Sequence, residues 1–234
     1  MTAPHVPLQA LLRRFVVWEA TAVLRHDLRN HLAAVRNATF YLQRRVEALA
    51  QDLIARDARV PKFFELTASE LAAAEGLIAD RLPQLPERPD RVVDLGAVVA
   101  AATSHVNLPA GIALPMAPAA FAALGDADEL AIAVVCLIDN AAESIAPTGG
   151  TIAITSDRDG SHIVISVCDD GPGMASDVLA RAFDGGFTTK PGHLGLGLSI
   201  VRRIAGRAGG TVELAAAARG VRATLRLRAA SETT

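Results

Sequence analysis

Leu28, Leu32, Val35, Thr39, Leu42, Val46, Leu49 and Leu53 recur at alternating four- and three-residue steps, with Thr39 the sole polar member of the row. That spacing is the seam of a coiled coil or helical bundle, and it commits this part of the chain to helix. Upstream, Leu8, Leu11, Leu12, Phe15 and Trp18 are apolar but fit the same register less well. A second, shorter row (Phe64, Thr67, Leu71, Ala74 and Ile78) follows the charged stretch Gln51–Pro61. A long helix, a turn and a shorter helix are therefore expected over residues 8–82. A hairpin of two striped helices cannot bury both stripes by itself. Pairing with a second copy into a four-helix bundle, a homodimer, is the expected solution; the competing one packs both stripes on the rest of the same chain.

Pro83-Gln84-Leu85-Pro86-Glu87-Arg88-Pro89 places three prolines in seven residues, which suits an extended linker. The expected division is thus a hairpin over 1–82, a linker over 83–91 and a second domain over 92–234. In the second domain Asp94 is a candidate cap for a helix through Thr103, and Ile112–Met116 a short strand. Asp126–Ile145 reads as a helix with Leu130, Val134, Leu137 and Ile138 on its apolar face. Thr151–Ser156 and His162–Cys168 flank a hairpin signal, Gly195–Arg207 returns to helix, and Thr211–Leu214 with Val221–Leu227 form a second hairpin. Helices mixed with neighbouring strands give an α+β, two-layer sandwich.

Composition narrows the function classes. Hydrophobic residues make up 51% of the chain, charged residues 21%, and 23 basic against 25 acidic side chains leave a net charge of −2. A packed core is expected, and a nucleic-acid binder, which needs a positive face, is not. The longest apolar run, near Ala131–Ile138, is far short of the roughly 18 residues of a membrane span. No basic, then apolar, leader opens the chain. Cys136 and Cys168 lie in apolar runs without zinc-site spacing and read as free, buried thiols. A cytoplasmic protein without membrane insertion is expected.

Three clusters in the second domain carry chemistry. Leu137-Ile138-Asp139-Asn140-Ala141-Ala142-Glu143 sets an oxygen donor beside an apolar helical face, a donor type suited to Mg²⁺ or to a solvated patch. Cys168-Asp169-Asp170-Gly171-Pro172-Gly173-Met174 places a carboxylate at a strand end before two glycines, either a turn or an acceptor for an amino group of a planar ligand. Phe187–Leu198, with Lys190, Gly192, Gly195 and Gly197, runs directly into a helix and forms a candidate anion cradle. In the hairpin, His26 lies two residues before Leu28, roughly 200° around the helix, so it points away from the seam. Asp27 beside it is a partner for one ring nitrogen, leaving the other free to attack phosphorus. Asn30 lies one turn later on the same face. His31 is a rival without an adjacent acid.

In this order the clusters resemble two-component sensor histidine kinases, whose ATP-binding domain belongs to the Bergerat-fold ATPases. The resemblance covers roughly residues 20–228. Arg25–Asn30 is similar to the H-box, Leu137–Ala141 to the N-box, Asp169–Gly173 to the first glycine box, Phe183–Phe187 to the F-box and Gly195–Leu198 to the second glycine box. It implies a dimeric phosphotransfer hairpin followed by a Bergerat-type ATP-binding domain. By the same resemblance His26 would accept phosphate, Asp27 act as acid and base, and Asn30 position water for removing phosphate from the partner. Asn140 would ligate Mg²⁺, Asp169 receive the adenine amino group, and Lys190 with Gly171, Gly173, Gly195 and Gly197 contact ATP. Thr224, near the last strand's start, would support the adenine contact. The implied activity is an ATP-dependent protein-histidine kinase that autophosphorylates and passes phosphate to an aspartate in a response-regulator receiver domain, with a phosphatase as a second activity. With about 20 residues before the H-box, a separate sensor protein is an expected partner.

Cys136 stands where the family commonly has a second asparagine, Glu143 where some members have a basic residue, and His193 in place of the first glycine of the second box. The stretch Met174–Leu194 is short for an ATP lid. These departures keep one alternative in view: a histidine phosphotransferase relay with a degenerate second domain that does not use ATP.

Overall fold

A computed structural model describes residues 8–49, 57, 59–79, 91–117, 121–146 and 148–230. Contacts divide the chain into two compact units, Ala20–Leu85 and a second made of Met1–Glu19 with Pro86–Thr234. The proline-rich stretch 83–89 and most of the turn after Gln51 lie outside the described residues.

In the first unit, helix α1 (Leu8–Leu49) contributes everything from Ala20 onward, and α2 (Arg59–Ala79) follows. Pro61 was expected to end the turn; it lies inside the first turn of α2, where a missing N–H costs nothing. Asp57 starts that helix: its Oδ1 accepts from the Arg59 N–H at 3.0 Å, and its carbonyl accepts from the Val60 N–H at 3.1 Å. The Arg59 guanidinium closes on the same carboxylate, which holds Asp57 below its ordinary pKa. Leu32, Thr39 and Val46 of the seam, and Phe64, Thr67, Leu71 and Ala74 of the second row, are half-buried. Arg36 reaches Glu75 with Nη1 2.7 Å from Oε1.

The first three turns of α1 belong to the second unit. Leu8, Leu11 and Phe15 are buried there at helical spacing, Phe15 to 1% exposure. Glu19, 5% exposed, takes Arg203 at 2.9 Å, and Trp18 lies under the same guanidinium at 3.9 Å. These residues fit the seam register poorly because a different surface covers them.

The second unit is an α+β two-layer sandwich. Strands β1 (Arg91–Asp94) and β4 (Ala122–Gly125) form a small antiparallel pair. The main sheet runs β2 (Ile112–Ala113), β5 (Gly150–Asp159), β6 (His162–Asp169), β8 (Val221–Arg228), β7 (Thr211–Ala216), with β3 (Met116–Ala117) also on β5. β2 and β3 pair with β5 in parallel, and the remaining pairs are antiparallel. The expected strand at Ile112–Met116 is split by Leu114-Pro115, and the expected hairpins are present at greater length. The pair β1–β4 and helix α5 (Ser176–Arg181) were not anticipated.

Alternation in the strands sets one face of the sheet. Ile152, Ile154, Ile163, Ile165, Val167, Ala223, Leu225 and Leu227 point to it and are buried. Helices α4 (Ala127–Ile145) and α6 (Gly197–Arg207) cover this face and pack on each other, and α3 (Leu95–Thr103) packs on α4. Asp94 and Asp126 cap α3 and α4 as expected: Asp94 Oδ1 accepts from Gly96 N–H at 2.8 Å, Asp126 Oδ1 from Glu129 N–H at 3.0 Å. Residues Leu130–Ile138 of α4 are buried without a break. At its start Glu129 grips Arg207 at the end of α6 with two bonds, 2.9 and 3.0 Å, pinning the two helices end to end. This buried helix is the rigid floor of the site.

Candidate functional site

A cavity of about 440 Å³ opens along α4 and the start of α6. Asp139, Asn140 and Glu143 enter it from the last turns of α4, and Lys190, Gly192, His193, Gly195 and Gly197 from the segment leading into α6. Leu12 and Val16, from the N-terminal turns of α1, complete its wall. Its size is in the range that takes a nucleotide-sized ligand. Of the expected cofactor-binding residues, it gathers Asn140, Lys190, Gly195 and Gly197; its lining does not include Asp169, Gly171, Gly173 or Thr224.

Asp169 ends β6 on the buried face of the sheet, 6% exposed, and its Oδ1 accepts the Gly171 N–H at 2.9 Å. The carboxylate is thus oriented by the glycine turn that Gly173 continues, and its second oxygen remains for another donor. Gly220, missed in the sequence, holds this geometry. Its φ is +73°, and a Cβ there would run into the carbonyl and carboxylate oxygens of Asp169. Its place just before the last strand was the signal that could have found it.

Thr224 is a correction. It pairs with Ser166, and alternation turns it to the face opposite Asp169. Its neighbour Ala223, 7% exposed and level with Val167, occupies the Asp169 face instead. A one-residue offset in a strand reverses the side, and sequence alone did not fix the register here.

The loop from Ala182 to Leu196 is irregular but tied. Gly186 N–H donates to the Gly195 carbonyl at 3.1 Å, and Phe187 N–H to the Asp184 carbonyl at 3.0 Å. The Arg181 guanidinium stacks 4.2 Å over the Phe187 ring. Gly195 has φ +64°, and an added Cβ would meet the Phe187 carbonyl carbon at 2.7 Å, so glycine is required where the loop folds back. Leu196, Gly197 and Leu198, at the start of α6, line the cavity where an anion cradle is expected.

Charge in the pocket is mixed. Lys190 Nζ lies 2.7 Å from Glu143 Oε2, and His193 Nδ1 lies 3.6 Å from Glu143 Oε1. Partial desolvation, and then the Glu143 charge, hold the Asp139 carboxyl above its ordinary pKa. Cys136, one turn before Asn140, is fully desolvated; this burial and the Asp139 charge push its thiol up to about 12. It lines the cavity with its thiol held in the protonated form. Cys168, expected buried, is half-buried, its thiol toward the Asp169 carbonyl at 3.8 Å.

On α1, the His26 side chain is 76% exposed. Its Nδ1 lies 3.6 Å from Asp27 Oδ1 and 3.2 Å from the Asn30 amide nitrogen. The three expected residues are therefore gathered on one helix face. Both partners lie at Nδ1 and suit opposite tautomers: the Asn30 N–H donates to a bare Nδ1, and the Asp27 carboxylate accepts from a protonated one. Among the described residues His31 has no carboxylate or amide placed at its ring in this way.

Residues 125–231 match the family model for histidine kinase-, DNA gyrase B-, and HSP90-like ATPases. Sporulation kinase B of Bacillus subtilis is 28% identical over 84% of this chain and 46% of its own length. The C4-dicarboxylate transport sensor protein DctB of Rhizobium meliloti is 26% identical over 93% of this chain and 35% of its own. The chain thus spans less than half the length of these relatives. Among solved structures, the mycobacterial sensor histidine kinase MprB superposes with a TM-score of 0.53 at 26% identity, over 60% of this chain and 99% of that one. The catalytic domain of the histidine kinase ThkA, at 22% identity and a TM-score of 0.52, shares the fold. Among the described residues no helix is long and apolar enough to cross a membrane. Residues 125–231 are therefore similar to histidine kinase-, DNA gyrase B-, and HSP90-like ATPases, and the chain, across most of its length, is similar to sensor histidine kinases.

Proposed function

We propose that this chain is a protein-histidine kinase of a two-component system. It transfers the γ-phosphoryl group of ATP to His26 and passes it to an aspartate of a response-regulator receiver domain. One observation carries the reading: an exposed imidazole with a carboxylate and an amide at its Nδ1 occurs in the same chain as an ATPase pocket lined by an asparagine, a lysine and loop glycines. The pocket's donors suit Mg²⁺·ATP. Asn140 offers a hard amide oxygen for the metal, Lys190 and the start of α6 face the phosphates, and Asp169, outside that lining, offers its second oxygen to the adenine amino group. Magnesium, when bound, neutralises charge on the phosphates.

The His26 Nε2 lone pair forms the P–N bond as the bond to the ADP oxygen breaks. The step uses the tautomer with its proton on Nδ1, in which Asp27 and not the Asn30 N–H is the partner there; Asp27 stabilises the charge on the ring and takes that proton. Asn30, on the same face, orients water when the phosphorylated regulator is hydrolysed. We place the protein in the cytoplasm.

A fluorescent ATP analogue tests the nucleotide half of this reading. Saturable binding at or below about 1 mM, strengthened by Mg²⁺, is expected. Absence of binding at that concentration favours the relay without ATP use.

The hairpin is proposed to dimerise. Leu28, Val35, Leu42 and Leu49 of the seam remain 41–73% exposed in one copy, and Phe63, Leu66 and Leu77 of α2 are about 60% exposed. So large an apolar stripe calls for a cover, and a second copy with the same stripe supplies one. Sedimentation equilibrium is expected to give a dimer at micromolar concentration; a monomer there contradicts it.

A further inference from the structure

We propose that Glu143 is the counter-ion that parks the lid lysine, so that phosphate entry into the pocket is an exchange of one anion for another on Lys190. The proposal rests on the nucleotide reading above and adds a residue to it. Glu143 stands on α4 one turn after Asn140, on the most deeply buried helix of the unit, so its carboxylate is held from a fixed base. Lys190 and His193 stand on the irregular loop opposite and have no such base. The carboxylate takes the lysine ammonium at 2.7 Å through Oε2 and faces the His193 ring at 3.6 Å through Oε1, and one side chain thereby reaches two side chains of the loop tip. Locally, the Lys190 N–H is held by Thr188 Oγ1 at 3.0 Å, which fixes the backbone while the side chain reaches across.

A lysine so engaged is not free for phosphate. Its side chain is 30% exposed and that of Glu143 41%, so solvent weakens the pair and the ammonium can leave it. An incoming triphosphate brings more negative charge than one carboxylate and captures the lysine. The Glu143 carboxylate then stands uncompensated beside the phosphates and opposes them. The pair has two consequences: it keeps the loop closed on the empty pocket, and it lowers affinity for phosphate-bearing ligands only.

The test compares wild type with Glu143→Gln, in the full chain, by calorimetric titration with ATP, ADP and adenosine and by amide hydrogen exchange of the nucleotide-free protein. Glu143→Gln is expected to tighten ATP and ADP by about three- to tenfold and leave adenosine unchanged. Exchange across residues 184–196 is expected to quicken. In a Lys190→Gln background the same substitution is expected to have a smaller effect on ATP, because only the repulsion between carboxylate and phosphates is left to relieve. Weaker ATP binding in Glu143→Gln overturns the proposal, since the carboxylate would then be a ligand of the bound nucleotide. Equal changes for adenosine and ATP overturn it too, as would unchanged loop exchange. Should wild type bind neither ATP nor adenosine, the nucleotide reading fails by itself; quickened exchange in Glu143→Gln then still supports the tether, and unchanged exchange removes it.

Discussion

Asp169→Asn is expected to weaken ATP binding by about ten- to a hundredfold while leaving the fold intact. Asp169 Oδ1 accepts the Gly171 N–H at 2.9 Å, and an asparagine oxygen can keep that bond and the turn it holds. The second oxygen becomes an NH2 group. Two donors, this amide and the adenine amino group, then face each other in a site that is 6% exposed. A mismatched buried donor costs about 1–3 kcal/mol, and losing a bond to a charged acceptor about 1.5–3 kcal/mol. Titration with ATP and with inorganic triphosphate separates the effects: the triphosphate, which lacks a base, should bind both proteins alike. ATP affinity equal to wild type would remove Asp169 from the adenine site.

His26→Gln is expected to reduce phosphate incorporation from γ-labelled ATP to background, a drop of at least about a hundredfold. Nucleotide affinity and thermal stability should stay at wild-type values, because the side chain is 76% exposed and belongs to a different compact unit from the pocket. Asp27→Asn should fall between the two, since it removes the proton acceptor but leaves the nucleophile. Label surviving in His26→Gln would move the phosphoacceptor to another residue.

What the sequence made legible was periodic or chemically distinctive. The four-three spacing marked α1 and α2, and Asp94 and Asp126 marked two helix starts because a side-chain oxygen at that place satisfies N–H groups that nothing local can. Three features escaped for separate reasons. β1 is four residues long and pairs with β4 about thirty residues away, so no local pattern announces it. The N-terminal turns of α1 looked like a flawed continuation of the seam, although Phe15 and Glu19 serve a different surface. Thr224 was expected to support the adenine contact, but side alternates at every residue along a strand, and its register with Ser166 turns it to the face opposite Asp169. In the site, Asn140, Lys190, Gly195 and Gly197 were legible as types at a spacing. The engagement of Lys190 by Glu143, 47 residues apart, was not, because it depends on how a loop folds over a helix.

Arg25 and Arg29 offer a direct test of the central claim, that the pocket's nucleotide yields its terminal phosphoryl group to His26. Trypsin separates the two neighbouring histidines, placing His26 in the peptide 26–29 and His31 in the peptide 30–36. The protein, incubated with Mg²⁺ and γ-labelled ATP and digested at alkaline pH, should carry acid-labile, alkali-stable label on the peptide 26–29, and α-labelled ATP should leave none. Label on the peptide 30–36, or on neither, would contradict the account.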